Sequence, residues 1–526
     1  MKNRKILGFL GAAAMTVLLA GCAESANDNS GAKDTAKDNA DNKVTIAYAE
    51  GSGQTMDPHN AADLTSASYA FAMYDQLVTS GTEEKDGKTV GRTDIVEPSL
   101  AESWDISEDG LTYTFKLRKD AKFTSGNDVN ADAVLYSFER IQKAGEGGSL
   151  YELSHIKSVE KVDDYTVKFT LSEVNPVLLK YFATFTFSIV DPAIKDKADD
   201  YLTTHSAGSG AFELKSWDPA TGATFEANDE YWNGEPEADE IDIKYVAEAS
   251  NRELMLKNKD VDVALDIPAK DVAELEKNKD LVVSSESSNR IYYMGLNANY
   301  EPFDNAKVRE AINYVVDQQK IIDDILYGQG NPLKSSISSK SPAFTDEYFK
   351  ASYDLDKAKK LLAEAGYKDG FKFEVTVSTA TQDYEDTAVL LQSELKKIGV
   401  DMKINLVAPA QYSELITAKK APAFLGRYTS LVNDPAYHYG FLLDTKGASN
   451  YAAYSNKKVD ALLKKGASTT DEKARQEIYN EVQQIVTADS PWIYLYESNL
   501  IAGLSKDVEG YVFYPDEIVR FDTLHK

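Results

Sequence analysis

The chain holds one cysteine, Cys22, among 526 residues. One thiol cannot close an internal disulfide, and neither a four-cysteine nor a two-cysteine zinc site can be assembled from it. Histidine is sparse as well: His59, His155, His205, His438 and His525 lie far apart, with no pair at helical ligand spacing, so no metal centre is expected. Positive charge is in deficit, with 57 Lys+Arg against 85 Asp+Glu and a formal net charge of −28. That balance opposes binding to nucleic acid and repels anionic lipid. Beyond the first twenty residues no apolar run is long enough to span a bilayer.

Several chemical signatures are missing too. No G-x-x-x-x-G-K-S/T loop is present to cradle a nucleotide, and Gly208-Ser209-Gly210 matches neither G-x-S-x-G nor G-x-G-x-x-G. It reads as a place where two chain segments cross. Asp105-x-Ser107-x-Asp109-Gly110 starts like a calcium loop, but Lys116 stands where a bidentate glutamate belongs, so a turn is expected instead. Carboxylates are abundant enough for chance pairs, which keeps a surface glycan hydrolase only as a remote alternative.

What is present begins with an export signal. Three positive charges in residues 1–5 precede an apolar run at 6–20, and Leu19-Ala20-Gly21-Cys22 follows. The pattern fits a lipoprotein signal peptide at 1–21, with Cys22 lipidated as the new N-terminus. Acyl chains contribute about 0.8 kcal/mol per buried CH₂, enough for a tether while the acidic body stays in water. Residues 22–43 contain no aromatic side chain and, apart from alanine, almost nothing apolar, and read as a disordered linker.

The chain as a whole is 43% hydrophobic, the composition of a folded protein, and from residue 44 it is long enough for about three domains. Alternation predicts strands at 44–48 and 111–117 and a hairpin over 159–171 turning at Asp163-Asp164. Helical spacing appears at 131–143 behind Asn130, at 307–327 before Gly328, and at 355–365 between Asp354 and Gly366. It recurs at 383–398 before Gly399 and at 472–487 behind Asp471. The mixture indicates a multidomain α/β architecture. Tyrosine is the unusual residue, 31 against 20 Phe and 4 Trp; its flat apolar face and hydroxyl suit wet binding clefts. Two clusters stand out: 290–297 (RIYYMGLN) and 426–429 (GRYT), the latter followed by 433–438 (NDPAYH).

Ordered motifs run through nearly the whole body. They include Met56-Asp57-Pro58-His59, Leu111-x-Tyr113-Thr114-Phe115-x-Leu117-Arg118, Phe123-x-x-Gly126, Ser137-Phe138-x-Arg140, Gly208-Ser209-Gly210-Ala211-Phe212-x-Leu214 and Asn228-x-x-Tyr231-Trp232. Further on come Asn297, Val308-Arg309-x-Ala311-Ile312, Ala358-x-x-Leu361-Leu362-x-x-Ala365-Gly366-Tyr367 and Leu395-x-x-Ile398-Gly399-Val400. In this set the chain resembles the family 5 extracellular solute-binding proteins, receptors of ATP-driven importers for oligopeptides, dipeptides and nickel. The resemblance implies a two-lobed, hinged α/β fold of the large periplasmic-binding-protein type, with no enzymatic activity and no cofactor. Lobe I would comprise 44–74, 205–289 and 496–526, carrying an inserted subdomain at 75–204, and lobe II would comprise 290–495. The ligand would be gripped by both lobes in a closed state. The resemblance further implies a monomer that hands an oligopeptide, or alternatively a metal chelate or oligosaccharide, to a membrane-embedded permease with cytoplasmic ATPases. The receptor would stand on the outer face of the cytoplasmic membrane of a single-membrane bacterium.

In peptide-binding relatives the ligand's main chain adds to short extended segments of both lobes. Carried onto this sequence, those positions are Asp63, Leu64 and Thr65 in lobe I and Gly426, Arg427 and Tyr428 in lobe II. Tyr292, Tyr293 and Asn297 begin the opposite wall, Tyr151 and Asn450 lie at its margins, and Arg427 would hold a ligand carboxylate, joined by His438 for an anionic chelate. One departure is plain: Leu431 stands where peptide-binding relatives carry an aspartate that pairs with the peptide ammonium. Either Asp434 or Asp63 replaces it, or the amino end is not clamped, or the ligand is not an ordinary peptide.

Overall fold

The computed structural model describes residues 42–49, 54–85, 87–380 and 382–526. The signal segment, Cys22 and the linker as far as residue 41 lie outside the described residues. Among those described, no helix is long and apolar enough to cross a membrane.

The spine is a sheet of twelve described strands. Its main path runs Asp401–Val407, Lys372–Ser378, Ala423–Thr429, Arg290–Leu296, Trp492–Ser505, Val263–Ala264, Lys43–Tyr48, Glu240–Tyr245, Gly222–Ala227 and Phe212–Asp218. The first strand thus starts one residue earlier than alternation indicated, because Lys43 pairs in register with Glu240 and its ammonium reaches Glu240 and Asp242. The 14-residue strand Trp492–Ser505 belongs to both halves of the sheet. Trp492 to Tyr496 pairs with Gly295 to Tyr292, and Asn499 to Ser505 pairs with Ser287 to Leu281. The two partner strands are joined only by Ser288 and Asn289, both buried. Two adjacent crossings, 288–289 and 497–498, therefore connect the halves.

Each half has its own apolar layers. One half packs Val308, Ile312, Leu362, Leu391 and Leu395 on one face of its strands, and Tyr439, Leu463, Tyr479 and Trp492 on the other. The other half buries Val44, Ile46, Tyr69, Phe212, Phe225 and Ile243. A third core lies in a four-stranded sheet ordered Ala101–Ile106, Thr112–Leu117, Thr166–Leu171, Ile156–Asp163. There Phe138 meets Phe169 at 4.8 Å and Phe182 at 5.2 Å in edge-to-face contact, the geometry that aromatic quadrupoles favour.

Local rules account for most elements. Asn130 caps Ala131–Lys143, Asp354 caps Leu355–Glu364 and Asp471 caps Glu472–Asp489, each accepting a backbone N–H. The segment read as one helix over 307–327 is two, Ala306–Asn313 and Gln318–Asp324. Asp317 interrupts it by accepting from Lys320 N, a cap competing with helix continuation, after the β-branched pair Val315-Val316. Gly110 turns at φ +69° with Asp109 accepting from Leu111 N, so the calcium-like loop is a turn. At Gly208 an added Cβ would lie 1.9 Å from the Met73 carbonyl, which explains the glycine as a chain crossing. Beside it Ser209, Tyr231 and Trp232 all donate to the buried Asp75.

Candidate ligand-binding site

Four stretches of the chain meet at one crevice. Phe71 lies in the helix Leu64–Met73; Ser80, Thr93, Lys180 and Thr184 come from residues 80–184; Leu431 and Val432 follow the strand Ala423–Thr429; Asp516 and Ile518 come from the C-terminal segment. The crevice is narrow, with a cavity volume of about 10 Å³, room for roughly one water molecule. Leu431 packs simultaneously against two cores, the one around Val44, Ile46 and Phe212 and the one around Phe138, Phe169 and Phe182. Among the described residues, Thr93 Oγ1 is buried here without a hydrogen-bond partner.

The strand Ala423–Thr429 borders the same region. On one side it is paired along its full length with Arg290–Leu296, in register from Ala423↔Leu296 to Thr429↔Arg290. On the other side it pairs with Lys372–Ser378 only at Ala423 and Phe424. From Leu425 to Thr429 that second edge carries no strand partner among the described residues; Leu425 O there accepts the Tyr412 hydroxyl at 2.5 Å. Gly426, Arg427 and Tyr428 lie along this open edge.

Arg427 is exposed, and its guanidinium makes no hydrogen bond or ion pair with any described residue. Tyr384 and Tyr412 stand near it. Burial pushes both hydroxyls up in pKa, and the Arg427 charge offsets part of that rise. Tyr292 lies opposite Arg427 in the ladder, stacks on Tyr496 at 4.5 Å and meets Tyr384 edge-on at 5.9 Å. Tyr293 stacks on Trp492 at 4.5 Å. Both tyrosines are buried, so they form the backing of this wall.

Other candidates are consumed by the fold. Asp63 is the N-cap of the helix Leu64–Met73, accepting from Thr65 N and Ser66 N. Leu64 and Thr65 therefore sit in a helical turn, which corrects their reading as an extended segment: the aspartate nucleates a helix there. Asn297 donates to Lys419 O and Ala421 O, and Asn450 to Asp444 O and Tyr454 O; both are buried loop braces. Tyr151 packs half-buried against the subdomain core. His438 is not a ligand donor for a chelate: its Nε2–H donates to Ser336 O at 2.8 Å and its Nδ1 accepts from Ser430 Oγ at 2.8 Å. Burial lowers its pKa to about 4, so the ring is neutral with both nitrogens engaged.

Asp434 does not stand in for the missing acid either. It caps the helix Pro435–Leu442, receives two bonds from Arg475, and receives Lys180 Nζ at 3.3 Å. Burial raises its pKa, but the Arg475 hydrogen bond and the Lys180 and Arg475 charges outweigh that and leave it below the usual range. Lys180 also donates to Asn433 O, tying the subdomain to the second half, while Tyr181 meets Tyr437 at 6.2 Å beside it. The hinge carries its own network. Arg290 binds Glu517, Ser288 Oγ donates to Glu517 at 2.5 Å, and Asn289 Nδ2 donates to Ser430 O. Sequence reasoning passed over Lys180, Thr93, Tyr384 and Glu517. Lys180 had a signal, as the lone cation inside the apolar run Leu178-Leu179-Lys180-Tyr181-Phe182.

Residues 96–450 match the model of bacterial extracellular solute-binding proteins, family 5 Middle. A probable D,D-dipeptide-binding periplasmic protein, DdpA of Escherichia coli K12, is 30% identical over 483 residues, covering 90% of this chain and 92% of its own. Heme-binding protein A of Haemophilus influenzae is 30% identical over 543 aligned residues, 97% of each chain. The periplasmic binding protein DppA from Helicobacter pylori, solved with the peptide STSA, superposes with a TM-score of 0.80 at 27% identity, covering 92% of this chain and 98% of that one. With a likeness that extends over both halves and the hinge, the chain belongs to the bacterial extracellular solute-binding proteins of family 5, two-lobed receptors of ATP-driven importers that bind their solute without transforming it.

Proposed function

We propose that this receptor captures peptides, which lie across the crevice and extend the sheet at the open edge of 425–429. That unpartnered edge carries the reading. A strand edge without a partner offers main-chain donors and acceptors to any extended backbone, so affinity comes with little dependence on side-chain identity. Arg427 stands on this edge with an uncommitted planar fork, suited to a ligand carboxylate held by two parallel bonds. The D,D-dipeptide-binding relative and the neighbour solved with STSA support a peptide as the solute.

In the same proposal lobe I spans 44–74, 205–289 and 496–526 with the subdomain 75–204, lobe II spans 290–495, and closure bends the chain at 288–289 and 497–498. A lipid on Cys22 tethers a monomer to the outer face of the cytoplasmic membrane of a single-membrane bacterium, beside its permease and ATPases. Native mass spectrometry of protein purified without unfolding tests the ligand class. A ladder of retained masses that resolves into peptides is expected; a single non-peptide mass would overturn the peptide assignment. Metabolic labelling with a clickable fatty acid, lost in Cys22→Ser, tests the tether.

A further inference from the structure

Resting on the peptide reading, we propose that Asp266 receives the ammonium end of the peptide while Arg427 holds its carboxylate end, so that the ligand is fixed in one direction across the two halves of the sheet. Leu431 leaves that ammonium without an acid in the strand Ala423–Thr429 or just after it, and the nearby acids are committed elsewhere. Asp434 is taken by Arg475, Lys180 and Ala436 N. At the hinge Glu517 binds Arg290 and Ser288 Oγ, and Glu497 accepts from Ser339 N and Ser339 Oγ. Asp266 differs from these. It is exposed, and its carboxylate makes no hydrogen bond or ion pair with any described residue.

The surrounding chain holds Asp266 in place. It follows the strand Val263–Ala264 at a left-handed corner, φ +52°. Leu265 N donates to Ala47 O and Ile267 N to Ile501 O, both at 3.1 Å. The corner therefore lies at the carboxyl end of two parallel strands, Val263–Ala264 and Lys43–Tyr48, the edge at which open α/β sheets take their ligands. The buried Arg252 donates to Val246 O, Ala247 O, Leu265 O and Asp266 O. An arginine bonded to this residue's own carbonyl would ordinarily take its carboxylate as well; here the fork is spent on main-chain oxygens, which fixes the corner and leaves the acid open.

Arg427 lies across the hinge from this corner. It is opposite Tyr292, which pairs with Tyr496 immediately before the crossing at 497–498, whereas Asp266 lies beside Ile501 just after it. Both charges reach the hinge carboxylate Glu517: burial raises its pKa, Arg290, Ser288 and Arg427 lower it, and Asp266 raises it again. From Tyr496 to Ile501 the shared strand covers about 16 Å at about 3.3 Å per residue, the length of an extended peptide of about five residues. Asp383 also lacks a partner among the described residues. Its helix, Gln382–Lys396, packs in the same half as Arg427, so a ligand held by those two alone would not draw the halves together.

Calorimetric titration of the protein with Ala-Ala-Leu-Ala-Ala, its N-acetyl form and its C-terminal amide distinguishes the outcomes. The native protein is expected to bind the free peptide at least tenfold more tightly than either blocked form. Asp266→Asn should abolish the discrimination against the acetylated probe and keep that against the amide. Asp266→Gly, which suits the left-handed backbone, should do the same, and Arg427→Gln should do the converse. Asp383→Asn should leave both ratios unchanged. Equal binding of free and acetylated peptide by the native protein overturns the role of Asp266 while the peptide reading stands. So does an unchanged ratio in the Asp266 variants, or loss of the discrimination in Asp383→Asn instead. Binding of none of the three probes overturns the peptide reading and this assignment with it.

Discussion

Replacing Asp434 separates a structural carboxylate from a ligand-binding one. Its side chain is 1% exposed and that of its partner Arg475 is 15% exposed. Removing one member of such a pair leaves the other's charge buried, a loss of about 3–5 kcal/mol. Asp434 also caps Pro435–Leu442 through Ala436 N at 2.9 Å, and losing a cap costs about 0.5–2 kcal/mol. Asparagine keeps the cap and drops the charge, whereas alanine drops both. Asp434→Asn should therefore lower the unfolding free energy by about 3 kcal/mol, and Asp434→Ala by about 1 kcal/mol more. Lys180 is a weaker partner, 20% exposed and 3.3 Å away. Lys180→Met should cost about 1 kcal/mol or less in stability, but it removes a contact between subdomain and lobe II and should enlarge the radius of gyration of the ligand-free protein. Urea unfolding followed by tryptophan fluorescence measures the first effect and small-angle scattering the second. An Asp434→Asn protein with unchanged unfolding but weakened peptide binding would refute the reasoning, because it would put the carboxylate against the ligand.

Three further outcomes are expected. Asp75 is fully buried, and burial raises its pKa to about 6 against the hydrogen bonds of Trp232, Ser209 and Tyr231; its unfolded value is near 3.8. The folded state then holds the extra proton between those values, so this contribution is complete below about pH 4 and fades as pH rises through 6, on the order of 3 kcal/mol. The stability difference between native protein and Asp75→Asn should follow that curve. His59 and His438, both lowered to about 4 by burial, act in the opposite sense: their contribution is complete above pH 6.5 and is lost as pH falls toward 4, and a His438→Gln protein should show a shallower decline on acidification. Gly208→Ala must displace the Met73 carbonyl 1.9 Å from the new carbon, and should cost more than 2 kcal/mol or prevent folding, as judged by thermal melting.

Much of the fold was legible because it rests on local chemistry. Asn130, Asp354 and Asp471 cap where a short polar side chain precedes an apolar helical stripe, and Gly366 and Gly399 end their helices at positive φ. The signal at 307–327 misled because apolar spacing runs through both helices, while the break is set by a single cap at Asp317. The site was legible in part. Leu431 and Gly426-Arg427-Tyr428 lie at the crevice or on the open edge. Asn297, Asn450, His438 and Asp434 are of the polar types that bind ligands, but their partners lie as far as 254 residues away in the chain, as Lys180 does from Asp434. No spacing within the sequence reveals that such a side chain is already satisfied.

The tyrosine excess takes on a different meaning once the long strand is considered. Tyr292 and Tyr293 lie against Tyr496 and Trp492, side chains of the strand Trp492–Ser505 that both halves share. Their stacking packs that strand on either side of a bulge at Tyr292 and Tyr293, immediately before it crosses at 497–498, while Arg290 and Glu517 pair beside the neighbouring crossing at 288–289. In the proposed closure, bending is confined to a few backbone dihedrals at these two crossings, which is how a hinge moves lobes without deforming them. The same stacking stiffens the ladder that presents residues 425–429, so their open edge is held ready before any ligand arrives. If peptides add to that edge as proposed, affinity draws on bonds whose ordering cost was met during folding, with the buried tyrosines behind the wall rather than on its face.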